Sequence, residues 1–325
     1  RLGREMGPIA PRGPQETPFS TELPATTFQS SGDRPNPLTP DPAPAYEVLA
    51  EGGFGFPAGF HDRLGAVLPL GGAGSLVLAS VENALGDAPT RLLWANLEKQ
   101  ELEGQQVLPA GEVVFDYHPP THRLLTFQED RSLGEVMQLT VWEVLPADKE
   151  VKSVVRWQAP AKWVHEPWGR LIDGKIVLHR TNAQEYVGWD LSARRARYRI
   201  NQESFFHPLP VLSGGRKQLF LCEDKQVRVY DAVSGELLST LPAPNGSSGV
   251  AVTRDGRRAA VLNRNSLAVW DLTNPASGAE EFQAEAIGTP FTANLAWVSD
   301  QRLMSDNGIR GNILFGLKER IALWK

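Results

Sequence analysis

From Ser248 to Leu272 the sequence SGVAVTRDGRRAAVLNRNSLAVWDL holds three short apolar runs separated by two polar turns. Val250 and Val252 share one face of an extended run, Arg254-Asp255-Gly256-Arg257 supplies turn residues, and Ala259 to Leu262 is a compact apolar run of strand length. Asn263-Arg264-Asn265 makes a second turn, Leu267, Val269 and the Trp270-Asp271 pair form a third strand, and EEFQA supplies a fourth. The order recurs. With Trp270 in register, the equivalent positions are Trp94 in LLWANLE, Trp142 in LTVWEVL, Trp189 in YVGWDLS, Tyr230 in VRVYDAVSG and Phe315 in ILFGLKE, at successive spacings of 48, 47, 41, 40 and 45 residues. Each position sits late in an apolar run, and a polar turn and another strand-like run follow it. No convincing amphipathic helix lies between the runs, so the pattern predicts an all-β chain of radial four-stranded sheets instead of a βαβ architecture.

These features resemble the WD40-repeat family, whose repeats of about 40 to 45 residues each form a four-stranded blade with a Trp-Asp signature near the end of the third strand. The resemblance covers about residues 65 to 325, and Asp190, Asp231 and Asp271 follow their aromatics as the signature's aspartate does. Only two repeats keep Trp followed by Asp, so the resemblance is to degenerate, bacterial-type WD repeats. The resemblance implies a β-propeller of six recognisable blades, or seven if Tyr46 to Leu64 or sequence beyond the chain completes another. It also implies structural roles for the signature positions, and for His207 and Asp224 beside Tyr230, which stand near the places where the family's histidine and turn aspartate fix the signature ring. Here Phe206 replaces the usual glycine.

Residues 1 to 45 read differently. They hold ten of the 25 prolines and almost no aliphatic periodicity, too little to offset the entropy of ordering them. The expectation is a Pro-rich, disordered linker over 1–45 making few contacts, followed by the propeller over 46–325, the whole being a piece of a larger multidomain protein. A net charge of −5 argues against a nucleic-acid or anionic-membrane surface. No run approaches a membrane span. The single Cys222, in the run LFLC, rules out an intramolecular disulfide, reads as buried and inert, and fits a reducing, cytoplasmic compartment.

Candidate chemistry is sparse. None of His61, His118, His122, His165, His179 and His207 pairs with another ligand type at metal-site spacing, and Pro119-Pro120 forbids a helix that would align His118 with His122. Gly246-Ser247-Ser248-Gly249 is one residue short of a nucleophile elbow. Asp231, Ser234 and Gly235 only echo a quinone-propeller repeat, and the glycines at 52, 53, 55 and 59 lack the lysine of a phosphate loop. Neither catalytic residues, nor a metal, nor a cofactor is expected. Arg194, Arg195, Arg197 and Arg199 read as a charged edge strand. The connections between repeats are richer: Trp163, Trp168, Phe205 and Phe206 lie there, and Arg131, Arg180 and Arg264 lie in turns before third strands. On one rigid rim, such residues make the composition of a binding hot spot. The expected function is a non-catalytic scaffold binding a protein or peptide; the alternative is an enzyme or cofactor-binding propeller with its site in a central channel.

Overall fold

The computed structural model describes residues 19–23, 34–43, 62–70, 76–83, 89–129, 136–161, 167–182, 184–202, 209–223, 225–244, 246–247, 249–263, 266–283, 294–306, 312–319 and 321–324. Apart from two single-turn 3-10 segments, its regular elements are strands, in six four-stranded antiparallel sheets whose strands pair in chain order. Sheet 1 comprises Asp62–Pro69, Leu76–Asn83, Arg91–Asn96 and Glu101–Val107; sheet 2 Glu112–His118, Arg123–Glu129, Val136–Leu145 and Glu150–Pro160. Sheet 3 comprises Gly169–Leu171, Ile176–Asn182, Glu185–Asp190 and Arg195–Asn201; sheet 4 Val211–Leu212, Gln218–Cys222, Gln226–Asp231 and Leu237–Pro242. Sheet 5 comprises Gly249–Val252, Arg258–Leu262, Ser266–Asp271 and Glu280–Gln283; sheet 6 Asn294–Ser299, Arg302–Asp306, Asn312–Gly316 and Ile321–Trp324. Because each sheet is a meander, its first-to-second and third-to-fourth turns lie at one end, and its second-to-third turn and outgoing connection at the other.

The chain divides into two compact units, one of Arg1–Phe19 and Leu49–Pro160, which carries sheets 1 and 2, the other of Ser20–Val48 and Ala161–Lys325, which carries sheets 3 to 6. Within each unit successive sheets stack face on face. Leu78, Leu92 and Trp94 of sheet 1 meet Leu124 and Trp142 of sheet 2 in one cluster. In the second unit, Leu178 and Tyr198 meet Leu219 and Tyr230, Phe220 and Val229 meet Val261 and Trp270, and Ala260 and Leu262 meet Leu303 and Phe315. The central strands therefore bury both faces. In sheet 4, Leu219 and Leu221 point at sheet 3 while Phe220 and Cys222 point at sheet 5. Period-2 geometry with two buried faces produces a continuous apolar run, QLFLC, instead of alternation.

The third-strand aromatics Trp94, Trp142, Trp189, Tyr230, Trp270 and Phe315 are all buried. The ladder from third to fourth strand slips by one residue just before Trp142, Trp189, Tyr230 and Phe315, leaving one fourth-strand residue unpaired as in a β-bulge. In sheet 1 the slip comes one residue later, between Trp94 and Ala95. Trp94 also points forward at sheet 2, whereas Trp142, Tyr230, Trp270 and Phe315 point back at the preceding sheet of their unit. Ala95, not Trp94, is thus the equivalent position. A one-residue slip in a period-2 strand moves a side chain to the other face.

The linker expectation fails for the described parts of residues 1–45. In the first unit, Phe19 is buried and stacks on Trp157, with ring centroids 4.7 Å apart. In the second, Ser20 forms a parallel bridge to Arg195, Ser20 N donates to Arg194 O (3.1 Å) and Ala196 N to Ser20 O (2.8 Å). The charged edge of sheet 3 is thus partly covered. Residues 34–43 dock across sheets 4 and 5, with Leu38 inside their shared core. Composition alone predicted an entropy cost that nothing would offset; three buried side chains, Phe19, Leu38 and Asp41, and a row of main-chain hydrogen bonds offset it.

Candidate interaction surfaces

The aspartates after the third strands stabilise turns. Asp190 Oδ1 accepts from Ser192 N (2.9 Å) and Ala193 N (2.8 Å), and Asp231 Oδ1 from Val233 N (2.8 Å) and Ser234 N (2.7 Å). Asp271 Oδ1 accepts from Thr273 N (2.9 Å) and Thr273 Oγ1 (2.6 Å), and these bonds hold its carboxyl below the usual range. Such Asx-type turns satisfy main-chain donors where the chain reverses. Left-handed residues then close the turns, Arg194 (φ 52) in sheet 3 and Gly235 (φ 80) in sheet 4.

Two of the expected rim residues are not available to a partner. Trp168 is buried, edge-on to Tyr186 at 5.7 Å, with the Arg170 guanidinium 5.3 Å from its ring. The connection before sheet 3 folds this ring into the core it shares with sheet 4. Arg180 is likewise buried, and its Nε donates to Asn182 O at 3.2 Å. A cation so enclosed and bonded to its own strand end is a packing element. Trp163, Phe205, Phe206, Arg131 and Arg264 lie outside the described residues, as do His207 and Asp224.

Buried polar side chains gather in sheet 2. Glu112, on the first strand, bonds Thr126 Oγ1 on the second, Thr140 Oγ1 on the third (3.2 Å) and Arg156 Nη2 on the fourth (2.6 Å). Trp142 Nε1 donates to Thr126 Oγ1 at 2.8 Å. Burial raises the Glu112 carboxyl, while the threonines and Arg156 oppose that shift. Sheet 3 carries a different group, His179, fully enclosed, with neither ring nitrogen hydrogen-bonded among the described residues; burial lowers its pKa to about 3. Neither arrangement offers a nucleophile beside a base or an open coordination site. Among the described residues no three His, Cys, Asp or Glu side chains converge as a metal site, and no helix is long and apolar enough to cross a membrane.

The surface that sequence reasoning missed is the cleft under residues 34–43. It lies at the end of sheets 4 and 5 that carries the first-to-second turns. Asn36 N donates to Ser239 Oγ (2.9 Å) and Asn36 Nδ2 to Leu238 O (3.3 Å), on the outermost strand of sheet 4. Leu38 N donates to Leu272 O (2.7 Å), and Gln218 Nε2 to Thr39 O (2.7 Å). Asp41 is buried where Ser213 Oγ and Lys217 N (2.7 Å) bond one carboxylate oxygen. Gly215 N reaches Asp41 O (3.2 Å), and Ala43 N ends the path on Arg254 O (2.5 Å). A methyl on Gly214 would overlap Ala43, one on Gly215 the Asp41 carboxylate, and one on Gly256 the Asp41 main chain. The signals were present as Leu38 and Asp41 set among alternating prolines, and as the pair Gly214-Gly215, but nothing in the sequence joins residues about 170 apart.

No protein-family model and no curated protein matches this chain. Among solved structures, the chain is similar to KlHsv2 with loop 6CD replaced by a Gly-Ser linker, over 75% of this chain and 77% of that one, at 12% identity and a TM-score of 0.46.

Proposed function

We propose that the chain is a non-catalytic interaction scaffold, a WD40-like β-propeller module of a larger multidomain protein, that binds a protein or peptide. The observation that carries this reading is the stacking of four-stranded meanders on one another within each unit, four of them in the second, with a buried aromatic at a recurrent third-strand place. That is how blades pack, and blades hold their connecting loops rigidly, which lowers the ordering cost of binding. The described polar clusters are closed by their own partners, as in sheet 2, or sealed in the core, as at His179, and so leave no group poised for chemistry.

The proposed contact lies in the connections between sheets, with Trp163, Phe205 and Phe206 as anchors and Arg131 and Arg264 as further candidates, all five outside the described residues. Benzoylphenylalanine at position 163 or 205 should cross-link in cells to one discrete partner, and the same group at Glu101, on the outer strand of sheet 1, should not. Equal yields at all three positions, or none at the rim, would overturn the assignment. A small-molecule turnover lost on replacing buried carboxylates would favour an enzyme instead.

A further inference from the structure

We infer that the cleft holding residues 34–43 is a docking site for an extended linear motif on a second protein, a proline-flanked leucine followed three residues later by aspartate, and that the chain's own segment fills it in cis. The inference adds a surface at the opposite ends of the sheets from the proposed rim and stands or falls separately from it.

Within 34–43 only Leu38 and Asp41 are buried. Two anchors three residues apart on an extended stretch that is otherwise exposed or half-buried are how short peptides are recognised: main-chain hydrogen bonds supply affinity and pockets for selected side chains supply specificity. The cleft is shaped for that chain. Gly214, Gly215 and Gly256 clear the path of the main chain around Asp41 and Ala43, and Ser213 Oγ with Lys217 N forms a fitted seat for one carboxylate. Prolines at 35, 37, 40 and 42 hold the segment extended before it docks and remove N–H groups that docking would have to satisfy.

The cis segment does not saturate the cleft. Gln218 Oε1, on the residue whose Nε2 bonds Thr39, is buried without a hydrogen-bond partner among the described residues. A foreign peptide with a donor at that point would satisfy a group that the resident one leaves unpaired. A stretch with two anchors binds weakly by itself and is held by its covalent attachment to the chain. A competitor of matching chemistry can therefore displace it.

The test uses the full chain and a peptide of residues 33–44, DRPNPLTPDPAP. At peptide concentrations of about 1 mM and above, exchange at the chain's own Leu38 and Ala43 amides should rise several-fold while Lys217 stays protected. A peptide with alanine for its leucine and aspartate should do nothing. In a second arm, the L38A/D41A full chain should bind fluorescein-labelled peptide at least tenfold more tightly than the unaltered chain, because its cleft is vacant. Unchanged exchange with excess peptide overturns the inference, as does equal affinity in the two chains. Should L38A/D41A expose Val261 to exchange as well, the segment is a staple of the fold and the first arm alone decides. A concentration-dependent dimer that the peptide dissolves would assign the cleft to a second copy's segment and also overturn the proposal.

Discussion

Sheets 2 and 5 share one geometry and are held by different chemistry. Both are four-stranded meanders with a buried tryptophan in the third strand, Trp142 and Trp270, packed against the sheet before. Trp142 pairs with Leu124 and Trp270 with Ala259, so the residue two further along the second strand is Thr126 in sheet 2 and Val261 in sheet 5. Thr126 accepts the Trp142 indole N–H. Trp270 Nε1 has no hydrogen-bond partner among the described residues. Next to Thr126 in register lies Thr140, and then Arg156; next to Val261 lies Ala268. The position tolerates either a polar row closed on itself or plain apolar packing, because in both cases no buried group of the row is left charged and alone.

The largest effect expected is at Trp270. Replacing it with alanine removes a ring enclosed by Val261, Phe220 and Leu272, and should cost about 3 to 5 kcal/mol by the large-to-small rule. Denaturant unfolding would measure it. A cost under about 1 kcal/mol would mean that the site collapses freely and that apolar packing there is not what holds sheet 5.

Glu112→Ala should follow closely, at about 3 kcal/mol, because it leaves Arg156 partly buried without its counter-charge. The comparison sharpens with the pair replaced together. E112M/R156M should recover most of the loss, making sheet 2 resemble sheet 5, since apolar isosteres of a buried ion pair are often neutral or stabilising. If the double variant is as unstable as the single one, the row has a role that packing cannot replace.

How much of this was legible depended on whether a pattern had a local cause. The six meanders were readable because each strand's burial and each turn's Asp or Gly act within a few residues. Trp94 was assigned one residue out of phase because Leu92, Leu93, Trp94 and Ala95 are all buried, so alternation could not tell one face from the other. Trp168 looked like a loop residue, and only its packing on Tyr186 reveals it as core. The polar row of sheet 2 joins residues on four strands, and the docked segment joins residues separated in sequence by three whole sheets. Neither has a period to detect. Leu38 and Asp41 were hidden by their own surroundings, since a proline-rich stretch argues against burial even when two residues suffice.

His179 extends the comparison to sheet 3, where a polar side chain sits in the equivalent place with no closed row around it: it follows Val177, which pairs with Trp189, by two residues. Its pKa falls from 6.5 to about 3 on folding, so the unfolded chain binds the extra proton and stability is lost as pH falls from about 6.5 towards 3. At pH 5 the loss should be about 2 kcal/mol relative to pH 8. His179→Leu should flatten the stability profile across that window. An unchanged slope would place the acid sensitivity elsewhere.

The smallest effect expected is at the turn that ends the third strand of sheet 5. Asp271 is exposed and accepts from Thr273 through one main-chain and one hydroxyl donor, with a further main-chain bond from Asn274, so Asp271→Ala should cost no more than about 1 kcal/mol. Those bonds favour the carboxylate, and its folded pKa lies below 3.8. Its contribution is therefore present above the unfolded pKa and is lost only as pH falls through the lower folded value, in a window below that in which His179 begins to charge. Asp271→Asn, which keeps an acceptor, should retain most of the stability at pH 7 and lose the acid dependence. Sheet 2 has Glu143 at the corresponding place, and no comparable turn bond from Glu143 is described, so Glu143→Ala should be close to neutral. Thermal unfolding of the two alanine variants at pH 7 separates the cases: a clear drop for Asp271 and almost none for Glu143 would make the aspartate a turn device, and equal shifts would mean that the turn holds its shape without it.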